Sequence, residues 1–128
     1  MLKETMITKV ENIINLLDIA KELPTNPVVQ IYSIRSHKKA CKLMEKIQEA
    51  NCEKVIHTNS SNYAYALIDL FCELNQTLKF ISFHHPEIQN LEITHNGFIY
   101  KPYELLQDAL NTTTQLFTPV NENGDKSK

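Results

Sequence analysis

The sequence predicts an α/β domain: a mainly parallel sheet of about four strands flanked by helices, with an extra helix at the N-terminus. Three observations predict it. Runs of β-branched and aromatic residues alternate with segments of helical periodicity. The connections between those runs are long enough to hold a helix each, as right-handed parallel crossovers require. The composition, 42% hydrophobic and 22% charged over 128 residues, is that of one ordinary globular domain with a core of moderate size.

Residues 4–23, "ETMITKVENIINLLDIAKEL", place Ile7, Val10, Ile13, Ile14, Leu17, Ala20 and Leu23 on one stripe, the signature of a long amphipathic helix. "PTNP" (24–27) breaks it, because each proline disfavours helix at the residue before it. "VVQIYSI" (28–34) then reads as the first strand. Ser36 caps a helix over 37–51 whose inward positions are Ala40, Leu43, Met44, Ile47 and Ala50. "EKVIHT" (53–58) is the second strand, and "NSSN" (59–62) caps a helix carrying Ala64, Leu67, Ile68, Phe71 and Leu74. "TLKFISF" (77–83) is the third strand and residues 98–101 the fourth, closed by Lys101-Pro102 before a helix over 103–117. Residues 1–120 form the domain and 121–128 a polar tail. "LEITHNGFIY" has an alternative reading as a hairpin, because Asn-Gly between β-like runs is a turn signal.

The net charge of −2 and a pI near 6.2 argue against a dedicated nucleic-acid binder, while leaving a local basic patch open. The chain has neither a secretory leader pattern nor a membrane-length apolar run, so a soluble, cytoplasmic protein is expected. Cys41, Cys52 and Cys72, odd in number and without a CxxC, fit reduced thiols. Phosphate loops and dinucleotide fingerprints need glycines that this sequence lacks, and Ser60 and Ser61 have no Gly-x-Ser-x-Gly turn around them. No cofactor is expected.

"IYSIRSHKKACKLMEKIQEANCEKVIHTNSSNYAYALIDLF" (31–71), "LKFISFHHPEIQNLE" (78–92) and "GFIYKPYELL" (97–106) together resemble a response-regulator receiver, the CheY-like family. The resemblance implies a flavodoxin-like fold and, for Lys101, the lysine that reaches a phosphorylated aspartate. Receivers hold Mg²⁺ and the phosphoryl group on carboxylates at strand ends. Here those ends read Ser33, Ile34, Arg35, Ser36 and Ser82, Phe83, His84, His85, and Asp18, Asp69, Asp108 and Asp125 all fall in helices or the tail. The resemblance therefore implies a shortened, degenerate receiver that is not phosphorylated on aspartate. For the lysine itself the residues favour a structural reading, with Gly97 supplying a turn and Pro102 starting a helix.

The expected function is that of a non-enzymatic regulatory domain acting by binding another protein, with self-association left open. The expected docking face is Tyr100, Lys101, Tyr103 and Leu106, since tyrosines at a rim are typical interface residues and receivers dock through their last strand and helix. The alternative is a basic face of Arg35, Lys38, Lys39, Lys42 and Lys46, in which Lys38, Lys42 and Lys46 recur every helical turn. It suits an acidic partner or nucleic acid, and the strand-helix order of 28–83 is also similar to the Alba-type nucleic-acid-binding fold, though "TNSSNYA" lacks the glycine and bases of the Alba loop. An antagonist of the STAS class shares the alternation but not the acidic loop. A metal site from His57, His84 and Glu87 at the sheet's carboxyl edge is geometrically allowed, against the plainer reading of surface histidines.

Overall fold

The computed structural model describes residues 2–49 and 60–117. Among these residues the chain is a bundle of four helices, α1 (Leu2–Glu22), α2 (Pro27–Gln48), α3 (Ser60–His84) and α4 (Pro102–Phe117), with a short 3₁₀ turn, Pro86–Asn90, and a small hairpin before α4. The hairpin is antiparallel: β1 (Ile93–His95) pairs with β2 (Phe98–Tyr100), Thr94 opposite Ile99. The expected parallel sheet of four strands is corrected by this architecture, and the order of strands and helices on which the likeness to receivers, Alba and STAS rested is not the order of this chain.

Each correction has a local cause. Pro27, expected to precede a strand, is the first residue of α2: Asn26 stays extended (ψ 135°) and its Oδ1 accepts from the Val28 N–H at 2.8 Å. That is an N-cap followed by the proline position that helices prefer. Residues 28–34 then continue as helix because the buried set is Val29, Ser33, Ser36, Ala40, Leu43, Met44 and Ile47, a helical period that recruits two serines. Ile31 and Ile34, which made the stretch look like a strand, face outward. Residues 77–83 extend α3 without a break, with Leu67, Leu70, Leu74, Leu78 and Ile81 buried on one stripe. Thr77 is accommodated inside the helix by donating to the Glu73 carbonyl at 2.7 Å. The expected strand at 53–58 lies outside the described residues. The fourth strand exists as β2, and the alternative hairpin reading is the one found: Asn96 (φ 53°) and Gly97 (φ 82°) make the two-residue turn.

The helices form a ring in which α1 packs on α2 and α4, and α3 packs on the other faces of α2 and α4. A short link joins α1 to α2, Gln30 Nε2 donating back to the Leu23 carbonyl at 2.8 Å, so the two run antiparallel. Helices α2 and α3 also run antiparallel, since Lys39 meets Asp69 and Arg35 meets Glu73. The core is aliphatic, with Val10, Ile13, Leu17, Leu43, Ile47, Leu70, Leu74, Ile81 and Leu106 fully or almost fully buried. The N-terminal helix is therefore a full bundle member. Among the described residues no helix is long and apolar enough to cross a membrane.

Candidate functional site

The outward side of the α2–α3 pair forms a groove of about 720 Å³. Helix α2 lines it with Arg35, Lys38, Lys39, Lys42 and Lys46, and α3 with Tyr65, Ala66, Ile68, Asp69 and Cys72. The residues of the sequence-predicted basic face are thus brought together, and α3 adds a floor of residues that were not sequence candidates: Tyr65, 74% exposed, and Ile68, 47% exposed, sit among the cations.

The five cations are not equivalent. Lys39 Nζ lies 2.9 Å from Asp69 Oδ2 and 3.7 Å from Glu73 Oε1, and the Arg35 guanidinium reaches the same Glu73 at 3.6 Å. These two cations are locally neutralised and tie α2 to α3. Lys38, Lys42 and Lys46, spaced one turn apart on the exposed ridge, have no acidic partner among the described residues, and neither Glu45 on the same helix nor Glu49 just after its end supplies one. Three like charges in a row over an apolar floor form a positive trough that a matching anion would relieve.

At the Arg35 end the groove runs into an aromatic cluster. The Arg35 guanidinium carbon stands 5.2 Å from the centre of the Tyr32 ring, Tyr32 lies 6.2 Å from Phe80, and Phe80 lies 4.6 Å from His84. Ile31, Ile34 and Phe83 are also exposed at this end of the helix pair, Phe83 82% so.

The other sequence candidates lie elsewhere. Leu106 is fully buried in the core and offers a partner no surface. Tyr103 is half-buried and its hydroxyl is hydrogen-bonded to Ser82 Oγ at 3.0 Å, which fixes α4 against the end of α3. Tyr100 is half-buried in β2, while its neighbours Phe98 and Ile99, not candidates in the sequence, are the exposed ones. Lys101 Nζ sits between Glu92 (3.8 Å) and Glu104 (3.7 Å), so its charge is engaged in two surface ion pairs. His57 lies outside the described residues. Glu87 Oε2 pairs with His85 Nδ1 at 3.6 Å, and among the described residues no three histidine, cysteine or carboxylate side chains are grouped to hold a metal. The exposed rim around Phe98 had no sequence signal separable from a buried strand. The groove floor had one, since Tyr65 and Ile68 lie three residues apart in a segment that the sequence already predicts as helix.

No protein-family model matches this chain, and no curated protein or solved structure matches it.

Proposed function

We propose that this chain is a non-enzymatic binding module that takes an acidic, amphipathic segment of another protein into the α2–α3 groove. The observation that carries this reading is the row of Lys38, Lys42 and Lys46, without acidic partners among the described residues, beside the exposed ring of Tyr65 and the side chain of Ile68. Carboxylates on the occupant would meet the lysines while its apolar side chains cover the floor, the division of labour expected of an interface with an anchoring centre and a charged rim. A nucleic acid would use the same cations. It is disfavoured by the overall charge of −2.

The test is a titration of isotope-labelled protein, followed by amide chemical shifts, with three probes in separate arms: an acidic amphipathic peptide, a single-stranded RNA oligonucleotide, and vesicles of anionic lipid. The peptide is expected to shift resonances along 38–46 and 65–72, with affinity falling as salt rises. Tighter binding of RNA or of vesicles than of peptide, or peptide shifts confined to other helices, would overturn the reading.

A further inference from the structure

Where α2 faces α1, outside the groove lining, a thiol, an imidazole and a carboxylate meet. His37 and Cys41, one helical turn apart on α2, bring Sγ to 3.8 Å from Nδ1, and Asp18 of α1 places Oδ1 3.6 Å from Nε2 of the same ring. Lys21 Nζ holds that carboxylate oxygen at 3.2 Å. We propose that this cluster is a modification site for small uncharged electrophiles, in which Cys41 is the nucleophile, His37 takes its proton as general base, and Asp18 positions the ring.

Each member has one role. A neutral imidazole carries one N–H and one bare nitrogen. The Asp18 carboxylate favours the N–H on Nε2, which leaves the lone pair of Nδ1 for the thiol. Burial, aided by Lys21 and opposed by Asp18, holds the His37 pKa below its ordinary value, so at neutral pH the ring is uncharged and able to accept a proton. As the sulfur attacks, the S–H proton passes to Nδ1, a sulfur–carbon bond forms, and the leaving group departs with the electron pair of the bond it breaks. The imidazolium so formed stands against Asp18. The class of reagent follows from the setting: His37 is 20% exposed and Cys41 half-buried, an opening suited to small molecules. Asp18 and Lys21, the charged groups of α1 that face the ring, cancel each other, which gives neither an anion nor a cation a local attraction.

The experiment measures alkylation by iodoacetamide, with iodide as the leaving group, in the full chain carrying Cys52→Ser/Cys72→Ser, so that Cys41 is the sole thiol. A thiol without a base, of pKa about 8.5, loses reactivity about 25-fold between about pH 8 and about pH 6.5, in step with its thiolate fraction. Cys41 is expected to lose less than about tenfold, because His37 still serves as base at the lower pH. Adding His37→Gln should restore the steeper dependence and slow the reaction at about pH 6.5 by about threefold or more. Asp18→Asn should slow it there by about twofold while keeping the shallow profile, since it disturbs the tautomer and leaves the base in place. A parent profile as steep as that of the ordinary thiol, or a His37→Gln profile as shallow as the parent's, overturns the proposal; the first of these needs no change to the cluster itself.

Discussion

Between α1 and α4 the surface has a groove of about 500 Å³, and between α2 and α3, on the opposite side of the helix ring, one of about 720 Å³. The first is lined by Thr8, Lys9, Glu11, Asn12, Asn15, Thr112 and Gln115. One cation is matched there by one acid, and the rest is neutral and polar, a lining that water solvates well. The second has an excess of cations on an apolar floor that includes Tyr65 and Ile68. A cyclic bundle necessarily leaves a furrow wherever two helices meet at the surface, so concavity alone carries little meaning. The difference lies in what water can satisfy: it hydrates the α1–α4 lining, but it relieves neither the exposed ring of Tyr65 nor the alignment of three lysines as well as an acidic, amphipathic segment would.

The comparison breaks first if the scaffold and the site cannot be separated. Leu106 on α4 is fully buried and remote in role from the groove, so Leu106→Ala should cost about 2–5 kcal/mol in denaturant unfolding. The folded fraction should nonetheless bind the acidic peptide with unchanged affinity; a loss of affinity in the folded protein would return this residue to the docking face. Charge reversal sharpens the contrast directly. Lys42→Glu is expected to weaken peptide binding by roughly fivefold or more, and Lys9→Glu in the α1–α4 groove, which changes the net charge equally, to leave it within about twofold, as isothermal titration would measure. Equal losses in the two variants would mean that only net charge matters.

How far the sequence was legible follows from these same residues. The basic ridge was readable because the periodicity predicts a helix over 37–51, and a spacing of four then puts Lys38, Lys42 and Lys46 in line. The buried stripe of α1 was readable for the same reason, with Val10, Ile13, Leu17 and Ala20 all in the core. The fold class was not, because two helices hide their period. In α2 the core stripe passes through Ser33 and Ser36 while Ile31 and Ile34 sit outside, so hydrophobicity and burial are out of step for nearly two turns. In α3 the polar pair Asn75-Gln76 looks like a break, yet it contains neither glycine nor proline and nothing there stops a helix. Asn26-Pro27 was a helix start that was read as a helix stop.

The misplaced serines give a smaller effect of opposite sign. The Ser33 and Ser36 hydroxyls are buried without a hydrogen-bond partner among the described residues. Ser36→Ala should raise stability by roughly 1 kcal/mol in thermal or denaturant unfolding, since the unmade hydrogen bond is the larger loss and the volume removed is one oxygen. A destabilised variant would mean that the hydroxyl is bonded after all.

The smallest expected effect concerns the side of α2 that faces α1. Burial holds the His37 imidazole below its ordinary pKa of about 6.5, Lys21 adds to this, and Asp18, 3.6 Å from Nε2, opposes it. The unfolded chain therefore takes up the proton first as pH falls. The contribution of His37 to stability is complete above about pH 6.5 and is lost as pH drops below it towards the folded-state pKa. Melting temperatures of wild type should decline over that window more steeply than those of His37→Gln, and parallel profiles would assign the decline to other groups.

Cys72 offers the most direct test of the central claim, because its exposed thiol lines the α2–α3 groove, while Cys41 is half-buried within van der Waals reach of His37 (3.8 Å) and lies outside the groove lining. Alkylation rates at the two thiols, read by peptide mapping with and without saturating acidic amphipathic peptide, compare the site with an internal control. Occupancy of the groove predicts that labelling of Cys72 slows severalfold while that of Cys41 is unchanged; an unchanged rate at Cys72 under saturating peptide would contradict it.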